Sequence, residues 1–313
     1  MTIAYIFKMS HILIVGTGAL ATLFAARLLQ AGYSITMLGS WKAGLEALRE
    51  DGARLVDSKG REHQFAVQAI DDPRECPEVK HALVLVKAWQ TERIAGQLKE
   101  CLAEDGLAVT LQNGLGNRET LAQSLGLHRV ALGVTTTGAT LLSPGVVREG
   151  GEGVISIEQK DALGPLETAL KSAKFTVKIV DDAQSLIWGK LVINAAINPL
   201  TALLRVANGK LLELPSAHEM MKTLASETAR VAKAENISLP FADPISAAEE
   251  VARKTASNHS SMLQDVLRGA PTEVDAICGA VVNTAQNHQI ATPANWVCWK
   301  MVKALAESQA KRH

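Results

Sequence analysis

The sequence of 313 residues predicts an N-terminal α/β domain over residues 9–180, built as a doubly wound, largely parallel sheet, followed by an all-α domain over 181–313. Three observations carry this. Short apolar runs alternate with helix-period stretches through the first half, the pattern of strands joined by crossover helices. From about Asp181 the helix period dominates and extended runs nearly vanish. Gly-rich turns at Gly145 and Gly150-Gly151 break up a late group of short strands, which adds an antiparallel part to the sheet.

Each element follows in order. Ile12-Leu13-Ile14-Val15 is a buried strand, and 23–29 continue as a helix after a glycine turn. Residues 34–38 form the second strand and 41–50 a helix. Residues 53–56 and 64–67 read as a short β pair around Ser58-Lys59-Gly60. Residues 81–86 are a buried strand, 91–102 a helix, and 107–111 a strand ending at Gln112-Asn113-Gly114. Further strands are expected at 130–134, 139–142, 146–149 and 154–157. Helices are expected at 185–197, 216–235, 244–256, 260–267, 272–287 and 294–310.

Composition narrows the function classes. Lys+Arg and Asp+Glu both number 32, so no basic excess points to nucleic acid or to an anionic membrane. No run is judged long and apolar enough to span a bilayer. The four cysteines, Cys76, Cys101, Cys278 and Cys298, lack metal-type spacing, and no structural metal is expected. A reduced, cytoplasmic setting is the simple expectation. Met9 stands where such a fold usually begins, so residues 1–8 are expected to be dispensable.

Gly16-Thr17-Gly18-Ala19-Leu20-Ala21 between the first strand and helix is a G-x-G-x-x-A turn. Gly16 permits the tight turn and Gly18 lets backbone approach a pyrophosphate. Ala21 allows close helix–strand packing, and the helix N-terminus attracts phosphate. In this context the turn predicts a Rossmann-type dinucleotide site. The acidic residue that takes the ribose of NAD, or the arginine that suits NADP, should follow the second strand. This chain has Gly39-Ser40-Trp41-Lys42, which matches neither, though Ser40 and Lys42 could hold a phosphate.

Gly189 to Leu200 is almost wholly apolar, yet Lys190, Asn194 and Asn198 recur every four residues, one polar stripe on a buried helix. A lone lysine there is usually structural, its stem snorkelling to water. Two amides on the same stripe, with a dinucleotide turn upstream, argue instead for a task. Lys87, just past a strand, could contact phosphate or ribose, or be a solvated loop residue. Asn113 could orient nicotinamide or substrate, or simply form an Asn-Gly turn. Ser260 or Ser261 could cap a helix. Thr272 with Asp275 resembles a capping box, with Glu273 complementing the helix dipole.

Taken together, these motifs resemble the ketopantoate reductase (2-dehydropantoate 2-reductase) family. The matching segments are Gly16-x-Gly18-Ala19-Leu20, Val86-Lys87-Ala88-Trp89-Gln90, Gln112-Asn113-Gly114, Gly133-Val134-Thr135-Thr136, Lys190 with Asn194 and Asn198-Pro199-Leu200-Thr201, Asn258-x-Ser260-Ser261-Met262-Leu263-Gln264-Asp265, and Thr272-Glu273-Val274-Asp275. Their order and spacing fit from Met9 onward. The resemblance implies a Rossmann domain, then a helical domain, with substrate in the cleft between them. It implies NADPH-dependent reduction of 2-dehydropantoate to (R)-pantoate, on the way to pantothenate and coenzyme A.

Lys190 would be the catalytic acid, with Glu273 engaging the substrate hydroxyl and the lysine network. Asn194 and Asn198 would bind substrate hydroxyl, and Asn258 and Ser261 would help hold substrate. Lys87 and Asn113 would belong to the cofactor and catalytic region, beside Gly16, Thr17, Gly18, Ala19 and Leu20. Gly39 stands where the family often has an arginine for the 2′-phosphate; NADP is expected, with Ser40, Lys42 and Lys87 as replacement contacts and NAD not excluded. The partner is a small 2-keto acid, and a homodimer is compatible with the chain. The rivals are a reductase of another branched 2-keto acid and a non-catalytic dinucleotide sensor.

Overall fold

The structure, a computed structural model, describes residues 11–151 and 153–310; the expected start at Met9 lies outside them. The chain forms two compact units. Of the described residues, the first comprises 11–86, Gln90–Gln112 and Asn117–Ala183, and the second comprises Lys87–Trp89, Asn113–Gly116 and 184–310.

The first unit opens with β1 (His11–Val15), α1 (Ala19–Gln30), β2 (Ser34–Leu38) and α2 (Lys42–Asp51). There follow β3 (Ala53–Val56), β4 (Glu62–Phe65), β5 (Gln68–Ile70) and β6 (Val79–Val84). Then come α3 (Thr91–Cys101), β7 (Leu102–Thr110), α4 (Asn117–Leu125) and β8 (Val130–Thr135). The unit closes with β9 (Ala139–Ser143), β10 (Val146–Glu149), β11 (Val154–Glu158), α5 (Gly164–Ser172) and β12 (Thr176–Val180). The main sheet has eight strands in the order β12-β11-β8-β7-β6-β1-β2-β5. From β7 to β5 every pairing is parallel, and β11 runs antiparallel to β8.

Strand β1 shows why this half folds as it does. Its side chains alternate faces. Ile12 and Ile14 enter one apolar cluster with Phe24, Leu28 and Leu166, while Leu13 and Val15 enter another with Ile94, Leu98 and Leu121. A strand buried on both faces must read as a continuous apolar run, and helices must cover both sides.

Two expectations shift here. The partner of β3 is Glu62–Phe65 rather than 64–67, because Asp57 accepts the backbone N–H of Lys59 and Arg61 and closes the turn early. This pair also joins β10 and β9 in a separate four-stranded sheet. Strand β12, which the sequence reading leaves unassigned, alternates exposed Thr176 and Lys178 with buried Val177, the pattern of a half-buried strand at the sheet edge.

The second unit is helical: α6 (Ala183–Leu204), α7 (Lys210–Glu213), α8 (Pro215–Ala234), α9 (Pro244–Lys254), α10 (Ser261–Leu267), α11 (Ala280–Asn287) and α12 (Pro293–Ala310). Its core gathers Trp188, Leu191, Val192, Ala195 and Ala196 of α6 against Met221, Leu224 and Val231 of α8 and Val281 of α11. Helix α6 corrects one expectation. By length and composition it is apolar enough to cross a membrane, but most of it is buried as the central helix of this unit.

A second correction concerns 272–287. The regular helix starts only at Ala280, after a π-turn at Asp275–Gly279. The capping box does not form. Asp275 instead accepts Trp299 Nε1 at 2.7 Å and Lys303 Nζ at 3.0 Å, which draws its carboxylate toward α12.

Candidate active site

In the first unit, the dinucleotide turn has the shape that its glycines demand. Gly16 has φ +131°, and a Cβ there would lie 3.2 Å from the Leu85 carbonyl and 3.3 Å from Ala21 Cβ. Glycine alone tolerates both conditions. Gly16 N donates to Leu38 O at 2.8 Å, so the turn is tied to the end of β2. Gly18 is the N-cap of α1 and offers no side-chain cap, and open space surrounds the position of its missing Cβ. A helix N-terminus without a cap, with room in front, suits a pyrophosphate. Thr17 is buried, while Ala19 and Leu20 open the helix. These residues fit the dinucleotide that the motif implies.

Ser40 and Lys42 are exposed just beyond β2. Ser40 Oγ accepts Arg93 Nη2 at 3.0 Å. Within the same unit, Gln112 Nε2 donates to Val86 O at 3.1 Å and Thr91 Oγ1 at 2.8 Å, and Thr91 Oγ1 donates to Asn117 Oδ1 at 2.9 Å. This buried network holds the chain at residues 86 and 112, the points from which Lys87 and Asn113 emerge.

In the second unit, Glu273 is the hub. Its carboxylate is 5% exposed and accepts Asn113 Nδ2 at 3.0 Å and Ala88 N at 3.1 Å, with Lys87 Nζ at 3.5 Å. Lys87 Nζ also donates to Asp265 Oδ2 at 2.7 Å. A residue that merely complemented a helix dipole would face water; this carboxylate does not. The loop-lysine reading of Lys87 likewise gives way to a partly exposed lysine paired with two buried carboxylates.

The turn at 113–114 has a steric requirement of its own. Gly114 has φ +82°, and a Cβ there would lie 2.3 Å from Ala276 O, which also accepts Leu115 N. That close approach brings Asn113 to Glu273. The π-turn begins two residues past Glu273, and Gly279 N reaches back to Val274 O. Single π-turns of this kind commonly accompany functional sites.

Electrostatics divide the two lysines. Burial alone would lower the pKa of Lys87, but the charges of Glu273 and Asp265 outweigh it and hold the ammonium above its ordinary value. Burial raises the Asp265 carboxyl, opposed by Lys87. Both groups of that pair shift upward, and the short 2.7 Å contact favours the ionised pair. Burial pushes Lys190 down to about 8, against the opposing charge of Glu273. Its side chain keeps part of its surface open, yet the ammonium lies deep enough for desolvation to dominate.

Asn194 and Asn198 follow Lys190 on α6; Asn194 is half-buried and Asn198 is 6% exposed. Ser260, not Ser261, caps α10 through Leu263 N at 3.1 Å, and its Oγ lies 2.7 Å from Thr201 Oγ1. That contact ties the last turn of α6 to the start of α10. Asn258 and Ser261 flank the cap with exposed side chains. Asp265 is the site residue that sequence reasoning left without a role. Its signal was an acid on the same α10 turn sequence, four residues past the exposed Ser261.

The ketopantoate reductase PanE/ApbA family model matches residues 12–162, and the ketopantoate reductase PanE/ApbA C-terminal model matches 182–306. The chain belongs to the ketopantoate reductase family. A 2-dehydropantoate 2-reductase of Halobacterium salinarum is 35% identical over 90% of this chain and 94% of its own length. One from Archaeoglobus fulgidus is 35% identical over 95% and 98%. Among solved structures, a PanE/ApbA family ketopantoate reductase from Ralstonia eutropha JMP134 matches at TM-score 0.89 and 29% identity, over 96% of this chain and 99% of that one. The Rossmann-type sheet followed by a helical region is thus the fold of ketopantoate reductases.

Proposed function

We propose that this chain is a 2-dehydropantoate 2-reductase that uses NADPH to form (R)-pantoate, a step toward pantothenate and coenzyme A, with Lys190 as the proton donor. The observation that carries the proposal is Glu273. It is a buried carboxylate held by Asn113 and Ala88 N, beside Lys87, with its charge acting on Lys190. The names of the relatives support the substrate.

When bound, the nicotinamide supplies the hydride. As the carbonyl carbon of a 2-keto acid gains that electron pair, negative charge grows on its oxygen. An ammonium beside the oxygen stabilises the charge and delivers the proton that completes the alcohol. With a pKa of about 8, Lys190 is charged at neutral pH and gives up its proton more readily than a free lysine. Glu273 opposes the desolvation of Lys190 and retains acceptor capacity for a substrate hydroxyl. Lys87 and Asn113 orient that carboxylate. The Asn194 and Asn198 amides bind the substrate hydroxyl, and Asn258 and Ser261 help hold the substrate. Gly16, Thr17, Gly18, Ala19 and Leu20 receive the pyrophosphate.

The test is oxidation of NADPH and of NADH on addition of 2-dehydropantoate, run beside other branched 2-keto acids. Turnover with 2-dehydropantoate at least tenfold above the others supports the assignment. A higher kcat/KM for another 2-keto acid reassigns the substrate, and no turnover with any of them rejects the enzyme.

A further inference from the structure

Where the resemblance implies an arginine after the second strand, this chain has Gly39, and a side chain there would have to displace that of Thr17. Gly39 N donates to Ile70 O at 3.0 Å, and a Cβ at residue 39 would lie 2.6 Å from Thr17 Cγ2. A different cation reaches the same place. In the sheet order β6-β1-β2, the helix that follows β6 carries Arg93 in its first turn across the end of β1 to the residue that follows Gly39. There Arg93 Nη2 donates to Ser40 Oγ at 3.0 Å, and Gln90 Nε2 lies 3.5 Å from the same oxygen. On its other side Arg93 Nη1 donates to Gln97 Oε1 at 2.8 Å, which fixes the guanidinium from behind.

The charge of Arg93 is uncommitted. In the same unit Arg27, Arg49, Arg54, Arg61, Arg74 and Arg118 each contact a carboxylate. Among the described residues Arg93 contacts none, and its partners Gln97 and Ser40 are neutral. A planar guanidinium held by amide and hydroxyl groups, exposed at the strand end where a dinucleotide's adenosine ribose belongs, matches a phosphate in shape and charge.

We propose that Arg93, with Ser40, is the 2′-phosphate ligand of this chain and sets its preference for NADPH over NADH. This rests on the dinucleotide reading of the Gly16–Gly18 turn. It differs from that reading by placing discrimination on α3 rather than on residues 39–42 alone. A phosphate oxygen would accept the Ser40 hydroxyl proton and an N–H of Arg93, while the ribose of NADH offers no anion to either.

The experiment is calorimetric titration of the protein and of Arg93→Gln and Arg93→Lys with NADPH, NADH, 2′,5′-ADP and 5′-AMP. Hydrogen bonds to a charged group imply that Arg93→Gln weakens NADPH and 2′,5′-ADP by roughly 10- to 100-fold. NADH and 5′-AMP should change by less than about twofold, and Arg93→Lys should fall between. An unchanged NADPH Kd in Arg93→Gln overturns the proposal, as does equal weakening of NADPH and NADH. A parent protein that binds NADH at least as tightly as NADPH also overturns it, and leaves the dinucleotide turn standing. A parent protein that binds neither dinucleotide rejects the turn itself.

Discussion

Replacing Lys190 by methionine should destroy catalysis and stabilise the fold together. Methionine keeps the length of the stem and removes the ammonium. The drop in pKa from 10.5 to about 8 corresponds to a cost of up to about 3 kcal/mol for keeping the charge in the folded chain. The part of the side chain that stays open to water reduces this figure. The sign follows from the direction of the shift. Below pH 8 the lysine is protonated in both folded and unfolded chains, so the full cost is present. Between about 8 and 10.5 the unfolded chain binds the extra proton, so the parent protein gains stability as pH rises. Lys190→Met should therefore melt several degrees higher at pH 7, with the advantage shrinking toward pH 10.5.

The same variant should lose roughly 10²- to 10⁴-fold in kcat, the range of general acid catalysis. Dinucleotide affinity should hold, because the Gly16–Gly18 turn is untouched. Melting curves across pH, with kcat and NADPH titration, read all three. Near-native kcat would sink the acid assignment. Lost activity with a lowered melting temperature would show that the ammonium stabilises the helix, contrary to the desolvation argument.

Three further outcomes follow from the same geometry. The parent kcat/KM should fall as pH rises through about 8, since the acid must hold its proton; in Glu273→Gln that limb should move to lower pH, because the charge opposing Lys190's desolvation is gone. A limb that stays in place in the variant would separate Glu273 from Lys190. Gly114→Ala should destabilise the chain by at least about 1 kcal/mol, from its positive φ and its contact with Ala276 O, and lower activity by displacing Asn113; a native melting temperature would refute the turn. Gly39→Arg alone should weaken NADPH binding through its clash with Thr17, and adding Thr17→Ala should recover it, since only the Thr17 Cβ contact at 3.3 Å then remains. Calorimetry on the single and double variants decides that; tighter NADPH binding in the single variant would refute the steric argument.

Local patterns were the most legible part of the chain. The run Ile12 to Val15, the glycine turn and the Lys190–Asn194–Asn198 stripe each use a backbone period or a single steric requirement, so sequence spacing reports them directly. The short β5 has only three residues, too few to show a period, and the edge strand β12 has only five, next to the boundary where the helical half begins. The capping box misled because Asp275 has two stronger partners on α12, a helix far away in sequence. Glu273 could be read either as a dipole partner or as a site residue, and only burial separates the two.

By itself, then, the sequence determined the alternation of strands and helices through the first half, the change from mixed to helical chain near residue 181, and which helix carries a lysine on a polar stripe. Those features depend on contacts within a few residues. Tertiary structure alone decided that Lys87, Asn113, Asp265 and Glu273 meet, although up to 186 residues separate them. It also decided that Arg93 reaches Ser40, 53 residues away. The reason is physical: a side chain's charge state and partners follow from what is packed around it, and that packing is set by crossovers of the sheet and turns of the helices that no local window of sequence contains.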